Sequence, residues 1–148
     1  MKEVTKMAAG HSVQKCACKH MRMTARAVTQ FYDRHFQPAG LPAAQFGLLA
    51  DISAHPQISI GELAELALMD QTTVTRNVET LRKKGYVQVR PDEADSRKKS
   101  VSISPNGQTK LEQAMPLWEE AQAAVEQEIG AERLKEFLEV LGRLQRIV

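Results

Sequence analysis

A chain of 148 residues with 43% hydrophobic and 26% charged residues has enough apolar material for one compact domain or two small subdomains. No run approaches the roughly 18 consecutive apolar residues of a membrane span. The N-terminus also lacks a continuous apolar signal core, so a soluble cytoplasmic protein with no membrane partner is expected.

The formal charge of +2 conceals an uneven distribution. Residues 1–58 hold seven bases against three acids, a net +4, and residues 71–100 hold eight bases against four acids, again +4. Residues 112–148 reverse the sign, with eight Glu against four bases. A basic centre and an acidic tail point to a polyanion partner for the centre and a different task for the tail. The only two cysteines, Cys16 and Cys18, are expected as reduced thiols, because a chain of this length needs no disulfide framework.

In chain order, residues 1–10 show little pattern, and a frayed end is expected. From residue 11 to about 36 Gly and Pro are absent. Val13, Ala17, Met21, Ala25, Val28, Phe31 and Tyr32 recur there at spacings of three and four, which predicts an amphipathic helix. "QPAGLPAAQ" interrupts it, and "AAQFGLLADISAH" supplies a short apolar helix ending before Pro56. Ser59 followed by Glu62 is a capping box for a helix that turns Leu63, Ala64 and Ala67 inward. The next helix starts at Asp70, a good N-cap, and carries Val74, Val78 and Leu81 as a narrow apolar stripe.

Gly85 ends that helix after "RKK". Val87 and Val89, then Val101 and Ile103, alternate with polar neighbours on either side of "PDEADSRKK", which predicts a β-hairpin closed by "SPNG". Leu111, Met115, Trp118, Ala121, Val125 and Ile129 then mark a long helix that Pro116 should kink. Leu134, Phe137, Leu138, Leu141, Leu144 and Val148 form a last helix with nearly heptad spacing. The terminal helical regions lack an internal partner, so pairing of two chains is the economical way to bury them. The expected division is 1–36 for an N-terminal dimerisation helix, 37–104 for a DNA-binding domain and 105–148 for C-terminal dimerisation helices.

The two central helices fit a helix-turn-helix reader. The N-terminal part of its second helix enters the major groove and needs small or hydrogen-bonding side chains there, with an apolar stripe behind. At about 100° per residue Thr72 and Arg76 fall opposite the stripe, with Gln71, Thr73 and Thr75 on its flanks and Asn77 following. A solvated face of any small helical protein has a similar composition; the hairpin that follows is what favours the reader. It reads as a wing able to place Arg97 in the minor groove, with Asp95 holding its guanidinium. Lys83, Lys84, Lys98 and Lys99 are the candidates for phosphates. A charged loop protecting an edge strand is the bland alternative.

The order of elements resembles the MarR family of bacterial winged helix-turn-helix regulators across residues 11–148. "LAELALMDQTTVTRNVETLRKKGYV" resembles the family's recognition element and "DEADSRKKSVSISPNG" its wing and the start of the fifth helix. The resemblance implies a mainly α fold with a small β-hairpin wing, in which a winged helix-turn-helix core is flanked by dimerisation helices. It also implies a symmetric homodimer bound to double-stranded DNA at a near-palindromic operator, acting in the bacterial cytoplasm at the nucleoid. Asp95 and Arg97 match the family's Asp-x-Arg wing pattern, while Ser96 stands where an Arg is often found. A repressor released by a small ligand is the expected function, with Met23, Phe31, Tyr32, Phe46 and Trp118 as candidate ligand contacts. Core packing explains these five equally well.

Some peroxide sensors of the family carry a reactive Cys on the first helix, and Cys18 aligns with it, as Tyr32 does with one of two thiolate-holding tyrosines. The other tyrosine position is Arg22 here. A thiol-switched repressor is therefore one alternative, and a helical adaptor that binds an acidic protein instead of DNA is another. On an ideal helix Cys16 and Cys18 point about 200° apart, so only Cys16 and His20 share a face, and no metal site is expected. His11, His35 and His55 lie near segment ends, where capping or solvation accounts for them. There is no G-x-S-x-G elbow, no glycine-rich phosphate loop and no acid, base and nucleophile set, so neither catalysis nor a cofactor is expected. Met21, Met23, Met69 and Met115 read as core filler.

Overall fold

The computed structural model describes residues 13–148. The frayed end read at residues 1–10 and His11 lie outside them. Six α-helices are described: α1 (Ala17–Phe36), α2 (Ala43–Ala54), α3 (Ile60–Ala67), α4 (Gln71–Lys83), α5 (Pro105–Ile129) and α6 (Ala131–Leu144). A three-stranded antiparallel sheet holds β1 (Ile58–Ser59), β2 (Val87–Pro91) and β3 (Lys99–Ile103) in the order β1-β3-β2. The mainly helical fold with a small hairpin wing agrees with the sequence expectation. No helix of the described residues is long and apolar enough to cross a membrane.

The core lies where α2, α3, α4 and the sheet meet the end of α1 and the first half of α5. Phe36, Leu41, Leu49, Ile52, Leu63, Val74, Leu81 and Val101 are fully buried there. Each such side chain is worth about 1.5–3 kcal/mol over an exposed one. Val101 sits at the centre of the sheet, opposite Val89 on one side and Ile58 on the other.

Local chemistry sets the helix starts. The Ser59 hydroxyl accepts from the Glu62 amide at 3.1 Å while the Glu62 carboxylate accepts from the Ser59 amide at 2.9 Å, so the capping box of α3 is complete. At α4 the Asp70 carboxylate accepts from both the amide and the hydroxyl of Thr73, at 2.9 and 2.7 Å. The α3–α4 turn is a Schellman arrangement: the Met69 amide donates to the Ala64 carbonyl at 2.9 Å and the Leu68 amide to the Glu65 carbonyl at 3.2 Å.

The hairpin is tied at its root. Gly85 takes a left-handed φ of 78° and ends α4, the Ser104 amide donates to the Tyr86 carbonyl at 2.9 Å, and the Ser104 hydroxyl donates to the Gly85 carbonyl. That hydroxyl also accepts from the Gly107 amide at 3.0 Å, which caps α5. "SPNG", read as a closing turn, is therefore the first turn of α5, with Pro105 at its first position, where a missing N–H costs nothing.

Two further expectations shift. The first helix, read from residue 11, is interrupted at residues 14–16, and α1 begins at Ala17. Cys16 is extended before it, and the Gln14 carbonyl is 2.6 Å from the His20 imidazole instead of a helical amide. Cys16 stands at the N-cap of α1, and its carbonyl accepts from the His20 amide one turn on at 3.1 Å. Strand β1 was not read at all, because Ser59 had been assigned to the cap alone and a two-residue strand carries no periodic pattern. Helix α5 spans Pro116, as the long helix read from Leu111 to Ile129 requires, and the missing N–H leaves the Glu112 carbonyl without its helical donor.

Two predictions follow from these junctions. A Cβ on Gly107 would stand 2.0 Å from the Tyr86 carbonyl oxygen, so Gly107→Ala must displace backbone at the wing root. Urea denaturation should show a loss of about 2–3 kcal/mol. The Asp70 carboxyl is held below the usual carboxylate range, first by the Thr73 hydroxyl and then by the Thr73 amide. A lowered folded pKa contributes stability that is present above the unfolded value of about 3.9 and is lost as pH falls through the folded value. Asp70→Asn keeps an acceptor for the Thr73 amide, so it should flatten the stability profile below about pH 4 and leave its shape near neutrality unchanged.

Candidate nucleic-acid interface

Helix α4 buries Val74, Val78 and Leu81 and turns the opposite side outward. Gln71, Thr72, Thr75 and Arg76 are exposed, and among the described residues no ion pair engages Arg76. Thr73 and Asn77 are half-buried and already engaged: the Thr73 hydroxyl donates to Asp70, and the Asn77 amide donates to the Thr73 carbonyl at 2.9 Å. The outward face therefore divides into side chains that hold the helix and side chains whose polar atoms stand open.

The wing faces this helix across a cleft of about 810 Å³. Gln71, Thr75 and Glu79 form part of one wall with Gly61, Glu62 and Glu65 of α3, and Arg97, Lys98 and Lys99 approach from the wing. The cleft thus sets three carboxylates against three cations. Glu62 is held below the usual carboxylate range chiefly by its hydrogen bonds with Ser59, with a smaller contribution from Lys98. Glu79 is lowered mainly by Arg82, which grips it at 2.7 and 2.8 Å, and also by Lys99. Sequence reading missed this acidic wall. Glu62 was assigned to the cap, and nothing in the linear spacing brings Glu65 and Glu79 opposite the wing.

The wing tip is a tight loop bonded to itself. The Asp92 carboxylate accepts from the amides of Ala94 and Asp95 at 2.9 and 3.0 Å, and the Lys98 amide donates to the Asp95 carbonyl at 2.9 Å. Asp95 accepts from the backbone amide, Nε and Nη2 of Arg97 at 3.1, 3.1 and 3.3 Å, and Arg97 lowers its pKa. The Arg97 side chain stays 90% exposed while that of Asp95 is 30% exposed. An exposed pair of this kind adds little stability. What it does is restrict the guanidinium to one direction.

The remaining candidates are dispersed. Lys83 and Lys84 lie about 18 Å along α4 from Gln71, given 1.5 Å per residue. The Lys84 ammonium donates to Gln45 at 2.8 Å. Tyr32 and Trp118 pack against the core, the Tyr32 hydroxyl donating to Gln122 at 2.8 Å. Phe46 is buried with its ring 4.6 Å from that of Phe36, and Phe31 lies edge-on to Tyr32. Met23 is exposed on the far half of α1. Cys18 is an exposed free thiol in the first turn of α1, with Arg22 one turn onward. Tyr32 is fourteen residues farther along the same helix, about 21 Å, so the two cannot meet within one chain. Among the described residues no group of three or more His, Cys, Asp or Glu side chains is placed to hold a metal ion.

Comparison with known proteins places this geometry. A family model described as the MarR family matches residues 39–98, from the end of the first helix to the wing. The chain is similar to the Mycobacterium tuberculosis transcriptional regulator MosR, solved in complex with DNA. Identity is 37%, coverage 88% of this chain and 96% of that one, and the TM-score 0.78. It is 26% identical to the Pseudomonas putida repressor NicR over 139 residues, 94% of this chain and 81% of that protein. It is 29% identical to the uncharacterised Bacillus subtilis HTH-type regulator YybA over 89 residues, 60% of this chain and 59% of that protein's length. The chain belongs to the MarR family of winged helix-turn-helix transcriptional regulators.

Proposed function

We propose that the chain is a sequence-specific DNA-binding repressor that acts as a symmetric homodimer and leaves its operator when a small ligand binds. The observation that carries this reading is the juxtaposition across one cleft of an exposed polar helix face and a wing whose Arg97 is oriented by Asp95. The likeness to MosR, which was solved with DNA, supports it.

Two α4 helices about 34 Å apart would enter successive major grooves, which calls for a near-palindromic operator. Gln71, Thr72, Thr75 and Arg76 read base edges, and Thr73 and Asn77 hold the helix that presents them. Arg97 enters the minor groove, and Lys98 and Lys99 neutralise phosphates beside it, with Lys83 and Lys84 farther along the backbone.

Every residue from 17 to 30 is exposed in the single chain, including Met21 and Val28, and α6 exposes Phe137, Leu138 and Val140. Covering these faces with a second copy makes residues 1–36 and 105–148 the dimerisation regions and 37–104 the DNA-binding lobe. A ligand contacting Met23, Phe31, Tyr32, Phe46 and Trp118 between them would favour a lobe separation other than about 34 Å and so shift the population off DNA. Such a regulator acts in the bacterial cytoplasm, at the nucleoid, and not as an enzyme.

The exposure of Cys18 beside Arg22 favours a second switch. The Cys18 sulfur would attack the O–O bond of an organic hydroperoxide, becoming a sulfenic acid and releasing the alcohol. Operator affinity measured before and after hydroperoxide treatment tests it, and unchanged binding removes it.

Selection of bound duplexes from random DNA should recover a palindrome. Binding absent even at low salt would instead favour an adaptor for an acidic protein. On the recovered operator Arg76→Ala should cost about 1–3 kcal/mol and relax sequence preference at one position. Arg97→Ala should weaken operator and unrelated DNA alike, and reduce the slope of log affinity against log salt by about one. Titrations at several salt concentrations check both, and equal effects of the two substitutions on every sequence would contradict the division of labour.

A further inference from the structure

Two non-glycine residues among those described have a left-handed backbone: Gln57 at φ 59° and Leu68 at φ 50°. Leu68 occupies the turn position of the Schellman arrangement that ends α3, a place that normally takes glycine because any Cβ is strained there. Packing does not explain the leucine. Its side chain is 58% exposed, whereas Met69 beside it packs against the core. Exposed leucine at a strained position, two residues before the Asp70 cap of α4, carries a conformational cost with no return inside the chain.

We infer that Leu68 is a specificity-determining residue, whose side chain packs on the C5-methyl group of a thymine at the rim of the major groove. The inference rests on the DNA-binding reading proposed above. In a helix-turn-helix the first helix crosses the DNA backbone and the N-terminus of the second enters the groove, so the turn between them passes over the groove's edge. Thymine is the base that offers an apolar group there. Among the readers Gln71, Thr72, Thr75 and Arg76 only the threonines offer an apolar group, a single methyl each, whereas Leu68 offers a whole exposed isobutyl side chain.

The strain gives the test two readouts of opposite sign. With an operator recovered by selection, the full-length chain, Leu68→Gly and Leu68→Asn are titrated against it by fluorescence anisotropy. Asn tolerates the left-handed backbone and replaces the apolar side chain by a polar one. Leu68→Gly should raise the melting temperature by roughly 2–4 °C, yet both variants should bind the operator about fivefold or more weakly. Replacing thymines by uracil one at a time removes single methyl groups. At one position per half-site this should weaken the wild type and leave Leu68→Gly unaffected. Variants that bind as tightly as the wild type overturn the inference, as does a Leu68→Gly chain that uracil weakens as much as the wild type at every thymine. If the wild type itself binds no selected duplex, the DNA-binding reading fails, and the inference falls with it.

Discussion

The arrangement depends on one knot of hydrogen bonds where Gly85 and Tyr86 meet Ser104 and Gly107. Through it the end of α4, both strands of the hairpin at their root and the start of α5 share one anchoring point. The wing consequently cannot swing independently of α4 at its base, and the pair moves with α5. Helix α5 in turn runs 25 residues to the last helix. The far end of α5 is thereby joined to the hairpin root by a single continuous helix.

Electrostatics refines this frame without holding it together. Across the cleft Glu62, Glu65 and Glu79 oppose Arg97, Lys98 and Lys99. Among the described residues no ion pair bridges the cleft, so the attraction between its walls acts at longer range and is screened by salt. Asp95 acts on a smaller scale. By fixing Arg97 it removes rotamer freedom that would otherwise be lost at the moment of contact.

The recognition helix was legible in the sequence because its determinants are local. Asp70, the Val74, Val78 and Leu81 stripe and Gly85 each act within a turn of where they stand, and the Asp95–Arg97 pair spans two residues. What escaped the sequence is non-local or ambiguous. Strand β1 exists only through its pairing with β3, some forty residues onward. "SPNG" satisfies the rules of both a turn and a helix start, and the partner of Ser104 across the knot decides between them. A helical projection places Thr73 and Asn77 on the outward flank; what it does not give is that each also holds the helix start, the Thr73 hydroxyl donating to Asp70 and the Asn77 amide to the Thr73 carbonyl. The candidate ligand residues were chosen by type, and the fold distributes them between core and surface.

The division of labour within α4 has an evolutionary consequence. Asp70, Thr73 and Asn77 hold the first turns of the helix through bonds among themselves, while Gln71, Thr72, Thr75 and Arg76 contribute nothing to the folded state that another polar residue could not. The second group is therefore free to drift. Substitution at these four places leaves the bonds among Asp70, Thr73 and Asn77 intact, whereas change at the first three removes one of them. An altered outward face therefore does not require an altered helix start.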